Sequence, residues 1–538
     1  MAPPPLTPMR AVRSLMINML AMLVVSFVLM TGALAHAGLV AADPADGIVL
    51  PTAPALLNLS FTEPVTPLVF TLVDPSGQRL DLEGAVATDQ QVSQPLPHGL
   101  GRGTHLVSWR VVSADGHPVS GSLIFSIGEP GARPVAAAGT DALVTTTIWV
   151  VRALLYAALF LAVGTTVFGW LVAPLRGTTR VVPVLLSSAG LLLLPLALGL
   201  QGLDALGTGF GRLLSPAPWS TALATSYATT ILACVVAFAA TLASAFCARG
   251  RAYAGLVLVA WIAAALAPML SGHAGTASPE WLSRPAVFVH VAALLFWVGA
   301  LCPLARMLWS GDETQTDALR RFSRLIPLAI APLIASGLLL AGLQMGPPGA
   351  AWQSPYGLLL GAKLLLLVVL FALALWNRLA LTGPVLAGTA SAQTRLRRSI
   401  VLELILVVVI LGVVAGWRFT PPPRVIAEIA AQPARLHIHT QAAMADITVP
   451  AIHAGGTTMR IWLTDSELVP LAPKAVSVAL SNPGLGIERL RRPAVLGSDG
   501  FWQVPLTLPS AGLWSVDIDI RIDDFTVVKL AGHIELKP

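Results

Sequence analysis

Eight long apolar runs dominate this sequence and decide what it can fold into. They lie near 145–172, 182–203, 228–247, 253–271, 286–305, 325–345, 358–378 and 400–418. Several exceed about 18 residues, the length at which a helix crosses the hydrocarbon core of a bilayer. Only 11% of the 538 residues are charged, against about one quarter in soluble domains. The chain reads as a multi-pass membrane protein with an eight-helix transmembrane bundle over 145–418.

The net charge of +6 does not point to nucleic acid, because the arginines concentrate in short loops between apolar runs. The first, third, fifth and seventh loops hold Arg176 and Arg180; Arg249 and Arg251; Arg306, Arg320, Arg321 and Arg324; and Arg378, Arg395, Arg397 and Arg398. The other loops offer only Arg212 and Arg284. Positive loops stay in the cytoplasm, which predicts that both ends of the membrane region face outside the cytoplasm.

The flanks are soluble in character. Arg10 and Arg13 precede an apolar run ending at Ala33-Leu34-Ala35, so residues 1–35 read as a signal peptide with a small-x-small cleavage site. The run is long enough that an uncleaved anchor stays open. The two arginines are not adjacent, which argues against a twin-arginine signal. Residues 36–128 alternate short strand-like runs with Pro, Gly and Asp, the pattern of an all-β sandwich. Residues 129–144 read as a linker. After Pro421-Pro422-Pro423, residues 424–538 read as a second all-β sandwich outside the cytoplasm. The cysteines, Cys234, Cys247 and Cys302, all lie in or beside apolar runs, so no disulfide is expected in the exported parts.

The stretch with the most chemistry is Ser113-Ala114-Asp115-Gly116-His117-Pro118. On extended backbone, Asp115 and His117 would share a face. Cleavage after Ala35 would make His36 the first residue, and its free amine and ring nitrogen could chelate a metal that His117 and Asp115 also bind. Nitrogen and oxygen donors without sulfur suit tetragonal Cu(II). The alternative is that Asp-Gly-His-Pro is simply a turn. His98 and His105 are expected at surface or strand-face positions.

Within the apolar region, ionisable residues are costly and draw attention. Met269, His273 and His290 fall toward the outer side and form a candidate copper path. The alternative is that His290 only bonds a neighbouring helix. Cys302, Met307 and Met345 either extend that path or pack. Lys363 is expected to find a carbonyl, snorkel outward or line a polar cavity, and Glu403 to pair with Asn377 or Arg378. In the last domain, His437-Ile438-His439 with Met444, His453 and Met459 is a weak metal signal, set against an ordinary surface strand.

Residues 36–128 resemble the CopC copper-binding family. The resemblance rests on His36, Pro44-Ala45-Asp46-Gly47, Phe61-Thr62-Glu63-Pro64-Val65 and Trp109 through Gly121. The membrane region resembles CopD through Ser271-Gly272-His273-Ala274, His290 with Trp297-Val298-Gly299, Arg321-Phe322-Ser323-Arg324, Tyr356-Gly357 with Lys363, and Asn377-Arg378. The fused arrangement with an extra C-terminal domain is similar to bacterial copper transport proteins of the YcnJ kind. The resemblance implies Cu(II) ligation by His36, Asp115 and His117, with Glu63 as a weaker ligand or a support to the others. It also implies copper import across the inner membrane without an enzymatic reaction. The partners it implies are copper ions, the lipid bilayer and periplasmic copper chaperones. Between His36 and Met269 the chain contains no Met, so the N-terminal domain should bind Cu(II) alone, leaving any Cu(I) to the membrane domain. Two other readings stay open: a membrane-anchored copper buffer or sensor, and a redox protein in which His273 and His290 hold a haem. No phosphate-binding loop is present to suggest ATP-driven pumping.

Overall fold

The computed structural model describes residues 39–44, 48–61, 64–113, 118–129, 142–272, 274–275, 277–310, 314–346, 349–420, 422–424, 426–427, 433–440, 442–450, 456–465, 469–482, 486–507 and 512–536. Its contacts divide the chain into two units, one holding the helices and the other holding both β regions.

The N-terminal β region contains β1 (Leu39–Asp43), β2 (Ile48–Leu50), β3 (Leu56–Phe61), β4 (Val65–Val73), β5 (Arg79–Leu82), β6 (Val86–Thr88), β7 (Gln91–Pro95), β8 (Gly103–Ser113) and β9 (Pro118–Ile127). They form two sheets, ordered β1-β3-β7-β6 and β2-β9-β8-β4-β5. Strand alternation explains the sandwich: Leu57, Leu59 and Phe61 of β3 and Val107, Trp109 and Val111 of β8 all turn inward. The ring of Trp109 meets Phe61 edge-on at 5.3 Å. Gly121 sits opposite Trp109 on β9, where a Cβ would come within 2.4 Å of the indole ring.

The C-terminal β region contains β10 (Ala434–His439), β11 (Met444–Val449), β12 (Thr457–Thr464), β13 (Ala475–Asn482), β14 (Ile487–Pro493), β15 (Val495–Leu496), β16 (Trp502–Leu506), β17 (Gly512–Arg521) and β18 (Val527–Leu536). Its sheets are ordered β10-β11-β12-β16-β15 and β14-β13-β17-β18. Between them lie Ile447, Ile461, Val478, Val516 and Ile518, all fully buried or nearly so. The two β regions also touch, with edge strand β1 running close to edge strand β10.

Among the described residues, eight helices are long and apolar enough to cross a membrane: Ala142–Leu171, Thr178–Leu206, Tyr227–Ser244, Arg251–Leu270, Glu280–Ser310, Gln315–Met345, Pro355–Leu386 and Ala390–Phe419. The sixth and eighth helices start at Gln315 and Ala390, well before the apolar runs that begin near 325 and 400. Arg320, Arg321, Arg324, Arg395, Arg397 and Arg398 therefore lie in helices, not loops. Hydrophobicity marks only the part of a helix inside the bilayer, and Arg is a good helix former that does not end one.

The fifth helix is the most enclosed of the eight. It approaches the first closely at Gly299 and Gly164, where a Cβ on either glycine would collide with the other helix's backbone. Thr165 Oγ1 donates to Gly299 O at 3.1 Å across the same contact. Small residues let helix backbones touch in a bilayer, where packing takes the place of a hydrophobic driving force.

Candidate metal centre

Backbone register brings the flanks of the expected N-terminal ligands to one end of the sandwich. Leu39, three residues after His36, pairs with Phe61, two residues before Glu63. Phe61 ends β3 and Val65 opens β4 in the other sheet, so the chain crosses between sheets at this end. Val65 in turn pairs with Ser113, and Val112 pairs with Pro118. Residues 114–117 connect β8 to β9 at the same place. Paired Cα atoms lie about 4.5–5.5 Å apart, and three residues reach about 10 Å. His36, Glu63, Asp115 and His117 themselves lie outside the described residues. Beneath this end the core is tight, with Val65, Val112 and Ser113 all buried.

His105 was expected at a surface or strand face; it is on a strand but wholly buried. Its ring stacks on Phe125 at 5.4 Å, and Nδ1 lies 3.2 Å from Gly103 O. Burial holds the imidazole below its ordinary pKa, opposed by the Gly103 hydrogen bond and the carboxylate of Asp74. It is a core histidine. His98 is exposed.

In the helical unit, His290 lies ten residues into the fifth helix, about 15 Å along its axis. Its Nδ1 is 3.2 Å from Leu333 O and 3.2 Å from Ser336 Oγ of the sixth helix. A carbonyl only accepts, so Nδ1 carries the proton and Nε2 keeps its lone pair. Gly337 makes room, since a Cβ there would approach His290 Cε1 to 3.2 Å. Met269 is half-buried, one residue from the end of the fourth helix, and His273 lies outside the described residues. Among the described residues, no group of three or more His, Cys, Asp or Glu comes together as a metal cage. Met307 belongs to the helical core, and Met345 packs with Tyr356 and Leu360. Cys302 is half-buried.

Lys363 has an aromatic neighbour that sequence reasoning did not name. Its Nζ lies 4.9 Å from the centre of the Trp417 ring, which stacks on Tyr356 at 5.3 Å. A cation over an aromatic face is a stable way to keep an amine at depth. Glu403 accepts a 2.7 Å hydrogen bond from Asn377 Nδ2, as expected, and Asn377 opens a π-helical turn over Asn377–Leu381.

Sequence reasoning missed a polar cluster joining four helices. Arg418 Nη2 lies 2.6 Å from Asp204 Oδ2, with side-chain exposures of 4% and 11%, and also donates to Gln201 Oε1 at 3.2 Å. Nearby, the Arg152 guanidinium sits 5.2 Å over Tyr227. The signal was present: Arg152 and Arg418 are charges inside apolar runs.

In the C-terminal sandwich, Met459 is fully buried in the core and so is no ligand. His437 and His439 lie on edge strand β10, and Met444 opens β11. His453 lies outside the described residues.

Comparison with known proteins gives matches in the N-terminal β region and in the second half of the helical unit. The CopC domain model matches residues 39–128, and the Copper resistance protein D model matches residues 316–417. The chain is similar to Copper transport protein CutJ of Bacillus subtilis (strain 168), 27% identical over 362 residues, covering 63% of this chain and 67% of that protein. It is also similar to Copper resistance protein C of Xanthomonas campestris pv. juglandis, 36% identical over 105 residues, covering 18% of this chain and 82% of that one. Among solved structures it matches CopC from Methylosinus trichosporium OB3b, with 29% identity, 18% of this chain, 98% of that chain and a TM-score of 0.17.

Proposed function

The chain belongs to the CopC–CopD family of copper proteins, and from that premise we propose that it captures Cu(II) outside the cytoplasm and passes copper inward through its eight helices. The observation that carries this reading is the meeting of strand ends: Leu39 with Phe61, Val65 with Ser113, and Val112 with Pro118. The strand ends from which the sequence leads to His36, Glu63 and Asp115-x-His117 thus meet at one end of the sandwich, which supports a shared site there. An amine, two imidazoles and a carboxylate form a nitrogen–oxygen set suited to Cu(II). The Met-free N-terminal domain offers no competing thioether site.

His290 supports the membrane half of the proposal. With Nδ1–H bound to Leu333 O, its Nε2 is oriented and available as a ligand, the arrangement in which histidines hold metals. The same bond favours a second reading, in which the helices anchor a copper buffer and His290 is interhelical glue. Copper accumulation at limiting external copper separates them. Cells making the protein should hold more copper than cells without it, and equal contents at every concentration would overturn transport.

A further inference from the structure

The arginine-rich end of the helical bundle carries far more positive than negative charge. Segments 172–181, 245–252, 306–324 and 378–398 hold twelve arginines against three acids, Asp312, Glu313 and Asp317. Some of these arginines serve neighbouring helix ends: Arg306 Nη2 donates to Thr178 Oγ1 at 2.6 Å, and Arg321 Nη1 to Val172 O at 3.3 Å. Arg320 and Arg324 do not. They stand four apart on one face of the sixth helix, both exposed, a like-charge spacing that destabilises a helix. Asp317 lies 3.8 Å from Arg320 with 83% of its side chain exposed, too loose a pair to offset two guanidiniums. Among the described residues, Arg324 has no hydrogen-bond or ion-pair partner. A third guanidinium joins them, because Arg378 Nη1 of the seventh helix donates at 2.6 Å to the carbonyl of Ser323, the residue before Arg324.

Three features point to a lipid headgroup as the counter-ion. Exposed aromatic side chains, Phe246, Trp309 and Trp376, lie at the same end, and such residues mark the headgroup level of a bilayer. The Arg397 guanidinium sits 4.6 Å over the Trp309 ring. Going into the bundle, Leu328 lies one turn beyond Arg324, and Leu375 about one turn beyond Arg378. Both are exposed, so apolar surface begins where the charge ends. Finally, the sixth and seventh helices are the least enclosed of the eight. They make their one substantial contact with each other near this end, at Thr382–Leu386, which leaves the space between them open to an acyl chain.

We propose that this end of the bundle binds anionic phospholipid, with one phosphate held by Arg320, Arg324 and Arg378 and its acyl chains lying between the sixth and seventh helices. A guanidinium pairs with phosphate through two parallel N–H donors. An amphiphile also presents charge and apolar surface in the order that the two helices do. The inference is independent of the copper reading.

In the test, full-length protein in detergent is titrated with phosphatidylglycerol or with phosphatidylcholine of the same acyl chains, and bound lipid is counted by native mass spectrometry. Phosphatidylglycerol should bind at least about tenfold tighter, and the preference should shrink at about 1 M salt. Arg320→Gln with Arg324→Gln should abolish the preference, leaving phosphatidylcholine binding and the unfolding temperature like the parent's. Arg249→Gln with Arg251→Gln removes the same charge between the third and fourth helices and should keep it. Inorganic phosphate at matched concentration should not displace the lipid; displacement would reduce the site to one for any small anion and overturn the proposal. Equal binding of both lipids by the parent would also overturn it, as would equal losses in the two double variants. A dimer that separates when Arg320 and Arg324 are changed would assign the face to a second copy of the chain instead.

Discussion

Val65 and Ser113 face each other across β4 and β8, and that pairing makes one end of the N-terminal sandwich a meeting point. Val65 follows the crossing from β3, and Ser113 precedes the connection holding Asp115 and His117. Leu39 arrives at the same end by pairing with Phe61.

A site assembled this way depends on where the chain begins. A peptide nitrogen is no substitute for a free amine, so mature protein is expected to start at His36. N-terminal sequencing checks it, and a start one residue away would remove the amine–imidazole chelate. His117→Ala should abolish tight Cu(II) capture and leave the fold intact. Parent affinity should fall on acidification as imidazole and amine take up protons.

The sandwich end is held by a close contact below it. A Cβ at Gly121 would meet Trp109 Cζ2 at 2.4 Å, and Trp109 is boxed in by Phe61. Gly121→Ala is therefore expected to destabilise the N-terminal domain by about 1–3 kcal/mol, the range for overpacked cores. Gly101→Ala, where the added Cβ meets nothing within 4 Å, is the control. Hydrogen exchange localised to β8 and β9 reads both; equal protection would mean the ring moves aside freely.

Much of this architecture was legible in the sequence. Apolar runs find helices because spanning a bilayer has a length requirement, and strand alternation finds sandwiches because one face is buried. Other features depend on three-dimensional proximity. Asp204 and Arg418 are separated by 214 positions, and no local pattern announces that they meet. His105 reads as a spare polar residue until Phe125 is seen stacked on it.

Burial of His105 makes the N-terminal domain sensitive to acid. Its pKa in the folded state is below the ordinary value of 6.5, so between the two values the unfolded chain binds the proton more readily. Stability then rises with pH across that window. The contribution is fully present above about pH 6.5 and is lost as pH falls below it. In metal-free protein, protection of β8 against hydrogen exchange should drop below that pH. His105→Leu should flatten that part of the profile, and an unaltered profile would assign the acid sensitivity to other groups.

The membrane half of the proposal turns on His290. Its bond to Leu333 O could be supplied by any donor of similar reach, and Gln has one in its amide NH2. Gln can therefore keep the interhelical contact, and the space left by Gly337 admits its side chain. An amide cannot replace imidazole Nε2 as a copper ligand in either valence. His290→Gln is thus expected to fold, to insert at parental levels and to capture Cu(II) normally, while copper uptake falls about tenfold or more at limiting copper. His117→Ala should behave oppositely, failing at low copper and recovering at high copper, because free ions still reach the helices. Accumulation measured in both variants over a concentration series, with protein amounts matched, distinguishes ligand from packing residue. If His290→Gln takes up copper like the parent throughout, the imidazole serves only to bind the fifth helix to the sixth, and copper crosses elsewhere or not at all.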